Sequence, residues 1–338
     1  MASDADADDE TNVDDETNVE ADRARPAWLT WTVRVVAVAG LVVVAWVCLT
    51  EWGALVHGHP LYPVLLGLTV VGGVLVLWRS VRRRSAHAGW RLAGDLVLVA
   101  AAIGWVATMA WLKPFTAVEP ALAAMRSDDA VTVTESATRI ELEPTGDVTG
   151  TAVFFQPGAK VEARAYAAVL RPLAESGHLV VIAKQPLGIA FLATGAFDDA
   201  RSAFPDARRW VVGGHSLGGV VASAEADAAD SDATAPVVGL LLYASYPAND
   251  VSASLTAQVE SISGSRDGLA TPAKIDAAKP DLPAQTHYTV IDGGVHAFFA
   301  DYGPQPGDGT PTISHDDARA QISAASVKFV DAFDSLDS

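Results

Sequence analysis

Residues 209–222 read Arg-Trp-Val-Val-Gly-Gly-His-Ser-Leu-Gly-Gly-Val-Val-Ala, and they decide how the C-terminal two-thirds of the chain is organised. A β-prone run, Trp210-Val211-Val212, enters a cluster of small residues around Ser216, and a helix-prone stretch from Val220 to Ala229 leaves it. Gly214-His215-Ser216-Leu217-Gly218 fits the pattern Gly-x-Ser-x-Gly in a strand-turn-helix setting, in which a sharp turn exposes a serine hydroxyl. Glycine stands on both sides because such a turn brings backbone segments closer than a Cβ tolerates. A chain with 27 glycines can also produce the pattern as a plain Gly-rich turn, so the serine has to find partners elsewhere.

Outward from this turn, β-rich runs alternate with amphipathic stretches, which is the pattern of a mostly parallel sheet covered by helices on both faces. Strands are expected at 151–156, 178–183, 209–214, 237–243, 258–264 and 287–291, with 130–134 and 138–143 as an antiparallel edge pair. Helices are expected at 162–176, 217–229, 271–279 and 316–333.

A nucleophilic serine needs a base to take its proton and an acid to orient that base, in the order serine, acid, histidine for this architecture. Asp267, in Gly264-Ser265-Arg266-Asp267-Gly268, follows one expected strand, and His296, in Gly293-Gly294-Val295-His296, follows the last. Both fall at carboxyl ends of strands, the edge where open α/β sheets build their sites. Asp292 and Asp301 stand too near His296 to come from a separate strand, while His215, His287 and His315 read as structural or surface residues. Only 14 residues separate Tyr243 from Gln258, too few for a large insertion over the strand ends, so an open site is expected. Phe191 and Phe298 are the candidate substrate-binding side chains, with Leu187, Ile189 and Phe299 as further apolar lining.

The N-terminal third reads differently. Residues 1–27 form an acidic tail, expected to be disordered, in which Asp-Asp-Glu-Thr-Asn-Val occurs twice. Residues 31–49, 61–78 and 93–112 are each apolar over close to the roughly 20 residues that span a hydrocarbon layer, so 28–113 is expected to hold three transmembrane helices. Eight of the nine tryptophans precede residue 115, several at span ends where amphipathic rings anchor. The link between the second and third spans carries Arg79, Arg82, Arg83, Arg84 and Arg91, whereas residues 50–60 contain no Lys or Arg. Basic links stay cytoplasmic, which predicts a multi-pass protein of the cell membrane with a cytoplasmic N-terminus and everything after Lys113 outside the cytoplasm. Arg34 can snorkel and Asp95 can pair with Arg91 one turn earlier, so neither charge calls for a transport role. After a linker at 114–129, residues 130–338 form the folded domain.

Composition narrows the function further. A net charge of -18 argues against nucleic acid as a partner, since binding it requires neutralising phosphates. Cys48 is the only cysteine, which removes an internal disulfide, a cysteine-rich metal site and a Cys-x-x-Cys pair. Neither a metal nor a cofactor is expected; the expected partners are a small-molecule ester and the lipid bilayer.

Over roughly residues 151–333 the chain resembles the α/β-hydrolase superfamily, and within it a small bacterial subfamily related to dienelactone hydrolases. The likeness is carried by Phe155-Gln156-Pro157-Gly158-Ala159-Lys160, by Gly214-His215-Ser216-Leu217-Gly218-Gly219, and by Gly293-Gly294-Val295-His296-Ala297 with Asp301-Tyr302-Gly303. It implies an α/β-hydrolase fold without a large cap and a Ser216-His296-Asp267 triad. It also implies oxyanion-hole N–H groups at Leu217 and at Ala159, with Lys160 as the alternative to Ala159. Dienelactone hydrolases use a cysteine nucleophile where this chain has Ser216, so their substrate does not carry over. The expectation is a membrane-anchored serine hydrolase of carboxylesterase type; the alternatives are an acyltransferase with the same triad and a non-catalytic ligand-binding ectodomain.

Overall fold

A computed structural model describes residues 23–24, 26–82, 86–87 and 89–334. The acidic repeat of the tail and a pairing of Arg91 with Asp95 lie outside the described residues and side chains.

Three helices are long and apolar enough to cross a membrane: α1 (Ala27–Thr50), α3 (Leu61–Arg82) and α4 (Gly89–Trp111). They run past the expected limits because helical hydrogen bonding continues through flanking residues, from Pro26 at the start of α1 to Arg82 at the end of α3. A short helix, α2 (Trp52–His57), lies in the link between α1 and α3. Most apolar side chains of the three helices face outward, Val35, Val42, Val71, Leu75, Val97 and Leu98 among them. So wide an apolar surface is what a lipid environment covers. The Arg34 guanidinium on α1 donates to Ser80 Oγ (3.1 Å) and Ser80 O (2.9 Å) near the end of α3, and β1 (Arg23–Ala24) pairs antiparallel with β2 (Ala86–His87). The start of α1 and the α3–α4 link therefore share one end of the bundle, and the end of α4 emerges at the other.

The rest of the described chain is built on an eight-stranded sheet in the order β10-β9-β8-β7-β5-β6-β4-β3. The outer pair is β3 (Val131–Glu135) and β4 (Arg139–Pro144), antiparallel to each other, and β4 is antiparallel to β6 (Val180–Ala183). From β6 onward all pairs are parallel: β5 (Thr151–Gln156), β7 (Arg209–His215), β8 (Val237–Tyr243), β9 (Gln258–Gly264) and β10 (His287–Ile291). Alternation along the strands sorts side chains into two cores. Val153, Phe155, Val211, Leu241 and Tyr243 face α6 (Ala167–Glu175) and α10 (His315–Asp334); Phe154, Val212, Leu240 and Leu242 face α7 (Ala196–Ala203) and α8 (Leu217–Ala229). α9 (Pro272–Ala278) follows β9. No helix was expected at α7, which runs for only eight residues and buries only Phe197 and Ala200.

Strand order reverses around β5, which lies between β6 and β7, so the crevice at the carboxyl ends of β5 and β7 is the switch point where doubly wound sheets bind ligands. Residues 114–129, expected as a linker, are instead packed against this crevice. Phe115 pairs with Val161 and Ala117 with Tyr302, while α5 (Ala121–Ala124) is tied to α6 by Arg171 Nη1 donating to Ala124 O (2.7 Å). The backbone groups of Phe115 and Ala117 find their hydrogen-bond partners here, which buried peptide groups require.

Candidate active site

β7 ends at His215, and Ser216 turns the chain into α8 at φ 50°, ψ -121°, a left-handed conformation that costs a non-glycine residue roughly 1–3 kcal/mol. Three contacts hold it there. Ser216 N donates to Tyr243 O (3.0 Å), Ser245 Oγ donates to Ser216 O (2.7 Å), and Gly219 N returns to Ser216 O (3.0 Å). The turn is tight enough that a Cβ on Gly218 would sit within 3.0 Å of the Gln156 and Pro157 carbonyls at the end of β5, and one on Gly214 would meet the Gly218 backbone. Glycine at both places lets the start of α8 press against the loop after β5.

Asp267 lies just past β9 and is buried. Its Oδ1 accepts from Leu269 N (2.7 Å) and Ala270 N (2.8 Å), leaving Oδ2 to accept from His296 Nδ1 at 2.8 Å. That bond sets the imidazole tautomer with Nε2 free to act as a base. Asp292 instead accepts from Ser265 Oγ and Asp301 pairs with Arg319, so neither competes for His296. The His215 ring, one residue before Ser216, lies 4.5 Å from the His296 ring. The structure thus joins acid to histidine and brings the histidine alongside the serine turn. Ser216 Oγ itself makes no hydrogen bond among the described residues, and serine and base commonly draw together only around a substrate.

Beside the serine, the loop after β5 presents a set of backbone N–H groups that can be sorted by their partners. Gly158 N donates to Tyr166 Oη (2.8 Å), Lys160 N to Gly188 O (2.7 Å) and Val161 N to Gly158 O (3.1 Å). Ala159 N–H has no acceptor among the described residues. Leu217 N–H opens α8 and is one of the donors a helix start leaves unpaired, where the helix dipole favours negative charge. Lys160 N–H is already engaged, which separates it from Ala159.

Sequence reasoning missed three supports of the site. His215, read only as a structural or surface residue, is buried beside the site, stacked on Phe299 (5.8 Å, 15°) and hydrogen-bonded through Nδ1 to Tyr166 Oη (2.8 Å). Burial, reinforced by His296, holds its pKa well below the ordinary value, so it stays neutral beside His296. Asp308 accepts from Gly268 N (3.1 Å), His296 N (3.1 Å) and Ala297 N (2.8 Å), tying the aspartate and histidine loops together. Its only signal in sequence is the Gly307-Asp308-Gly309 turn. A polar relay supports the loop after β5: Gln185 Nε2 donates to Pro157 O and to Gln156 Oε1 (2.9 Å each), and Gln156 Nε2 donates to Glu225 Oε1 (2.9 Å) on α8. Burial pushes the Glu225 carboxyl up to about 8, so it stays protonated at neutral pH.

Of the two candidate substrate-binding rings, Phe191 is exposed on the turn Ala190–Leu192, while Phe298 stacks on His315 (4.4 Å, 4°) and packs against the main core. The β8–β9 connection carries no helix, leaving the crevice without a cap on that side. Among the described residues no group of three or more His, Cys, Asp or Glu is arranged to hold a metal ion.

With this geometry described, comparison with known proteins defines the class. Residues 152–320, half of the chain, match the model of the Alpha/beta hydrolase family, and the chain belongs to that family. No curated protein matches it. Among solved structures it is similar to a putative dienelactone hydrolase from Klebsiella pneumoniae, at 15% identity, 58% of this chain and 98% of that chain covered, and a TM-score of 0.42. A serine hydrolase without a lid from Xanthomonas campestris gives 15%, 60%, 97% and 0.43. A thermostable esterase from Pseudomonas putida gives 15%, 62%, 85% and 0.43.

Proposed function

We propose that the chain is a membrane-anchored serine hydrolase that cleaves a carboxylic ester or lactone through an acyl-enzyme. The observation that carries this reading is the 2.8 Å hydrogen bond from His296 Nδ1 to buried Asp267, beside a strained turn bearing Ser216. Ser216 Oγ attacks the ester carbonyl and gives its proton to His296 Nε2, while Ala159 N–H and Leu217 N–H receive the developing oxyanion. As the ester C–O bond breaks, His296 returns the proton to the departing alkoxide. Water, deprotonated by His296, then releases the acid and restores Ser216. Asp267 stabilises the imidazolium formed in each half without taking its proton. Neutral His215 adds no positive charge beside that imidazolium.

The basic link between the second and third spans supports a cytoplasmic N-terminus and a hydrolase domain on the far side of the membrane. Labelling with a fluorescent fluorophosphonate tests site and orientation together. In intact cells a membrane-impermeant probe should mark the wild type and not Ser216→Ala, and turnover of a test ester should fall by about 10⁴-fold or more in that variant. Labelling that survives in Ser216→Ala would refute the nucleophile, and labelling only after the cells are opened would reverse the orientation.

A further inference from the structure

The end of the membrane bundle from which α4 emerges is attached directly to the loops that form the crevice. Lys160, next to Ala159, donates from Nζ to the carbonyl of Trp111, the last residue of α4 (2.8 Å), and lies over its ring (4.6 Å). Phe115 N donates to Lys160 O (2.7 Å), and Glu162 N returns to Phe115 O (3.0 Å). Phe115 is the fourth residue after Trp111, so this loop lies at most about 14 Å from the end of the span. The loop after β6 is attached as well: Leu187 packs against the apolar cluster of the bundle, lining one pocket with Ala54, Tyr62 and Leu112, and Gly188 O holds Lys160 N. On the opposite flank, Val118 N donates to Asp301 O (2.9 Å), five residues after His296. The headgroup layer is roughly 5–8 Å thick on each side of the hydrocarbon core, so a loop held this close to the end of the span stands at or just above that layer.

The exposed apolar side chains follow the same geometry. Among the described residues after the third span, five large apolar side chains are exposed: Val118, Val148, Phe191, Leu192 and Val290. Three of them stand on segments fastened to the bundle end. Phe191 (55% exposed) and Leu192 (53%) continue the loop that begins at Leu187 and reaches the nucleophile helix α8, and Val118 (44%) flanks the His296 loop. An apolar rim of this kind is costly in water and is covered if acyl chains rise against it.

Resting on the esterase reading above, we infer that the substrate is the ester of an amphiphile dissolved in the leaflet that faces the hydrolase domain. Its acyl chain lies along Phe191, Leu192 and Val118, and its carbonyl reaches Ser216 without leaving the membrane surface. Ser216 Oγ takes the acyl group as the ester C–O bond breaks, the proton passes through His296 to the alcohol, and water frees the fatty acid.

The test uses the full chain in vesicles of ether-linked phosphatidylcholine, which offers no ester of its own. 4-Methylumbelliferyl oleate is dissolved in the bilayer, and 4-methylumbelliferyl acetate is supplied in water. Diluting the oleate ester tenfold with ether lipid at constant bulk concentration should lower its initial rate about tenfold, and kcat/KM should favour it over the acetate by about tenfold or more. Phe191→Asp with Leu192→Asp should lose about tenfold or more on the oleate ester, the scale of two lost apolar contacts. Rates that follow bulk concentration and ignore surface dilution would overturn the inference. So would acetate hydrolysis without oleate hydrolysis, and with Ser216 still labelled by fluorophosphonate the esterase reading would stand. Neither ester cleaved and no labelling would overturn both readings.

Discussion

Replacing Glu225 by glutamine should make the hydrolase domain more stable at neutral pH, by an amount that grows with pH. The residue is half-buried overall, but its Oε2 is fully buried and without a partner, while Oε1 accepts from Gln156 Nε2. Burial and, secondarily, the charge of Asp198 raise its pKa from 4.5 to about 8, against the opposing hydrogen bond from Gln156. A carboxyl whose native pKa lies above its unfolded value binds its proton more tightly when folded. Its contribution is therefore full at low pH and is lost as pH rises from about 4.5, where the unfolded chain ionises, until the native group ionises near 8. At about 1.4 kcal/mol per pH unit, the wild type gives up at most about 3 kcal/mol between pH 4.5 and pH 7. Glutamine matches the neutral acid in shape, keeps an oxygen for Gln156 Nε2 and does not titrate, so its stability should not carry this slope. Urea unfolding of the full chain in detergent, with the other eight tryptophans replaced by phenylalanine in both proteins so that fluorescence reports Trp210, measures the difference. Trp210 is the only tryptophan after Trp111 and is fully buried on β7. The two proteins should agree near pH 4.5 and diverge toward pH 8. Parallel profiles, or a variant less stable than wild type at pH 7, would refute the assignment of a buried neutral carboxyl.

Two further substitutions test the strain and the loop anchoring. Ser216→Gly relieves a left-handed backbone that Ser216→Ala keeps, so the glycine variant should be the more stable of these two by about 1 kcal/mol in urea unfolding, with neither hydrolysing ester. Equal stability would mean that the turn stores no strain. Asp308→Ala removes the acceptor shared by Gly268, His296 and Ala297, and should cost about 1–3 kcal/mol of stability. Its kcat should also fall by about tenfold or more, since the Asp267–His296 pair loses its common support, and an unchanged kcat would show that the pair is held without Asp308.

The fold was legible wherever local pattern and tertiary role coincide. The parallel strands from β5 to β10 are apolar runs bounded by turn residues, and each was expected within a few residues of its observed limits. The three apolar helices stand out because a span needs unbroken hydrophobicity, which survives any packing arrangement. Among the candidate site residues, Ser216 was marked by the glycines that its turn requires, and Asp267 and His296 by their positions after strands. Those signals are local, and the 2.8 Å bond between Asp267 and His296 matches the spatial relation they implied.

Legibility ended where function depends on which segments meet. Nothing adjacent in sequence marks His215 as the buried neighbour of His296, Gln185 as the clamp on Pro157, or Glu225 as the end of that relay; their partners lie 28 to 81 residues away. That Lys160 N–H is engaged likewise depends on Gly188 O, a group from another loop. Residues 114–129 looked like a linker because their polar and apolar residues follow no period, yet their backbone pairs with Val161 and Tyr302. Sequence by itself determined that this chain joins apolar spans to a doubly wound hydrolase, since composition and periodicity act within each segment. Tertiary structure alone decided that the loops beside the crevice are fastened to the end of α4, because that depends on Lys160 meeting Trp111, and on Leu187 reaching the apolar cluster of the bundle, across distances no local pattern encodes.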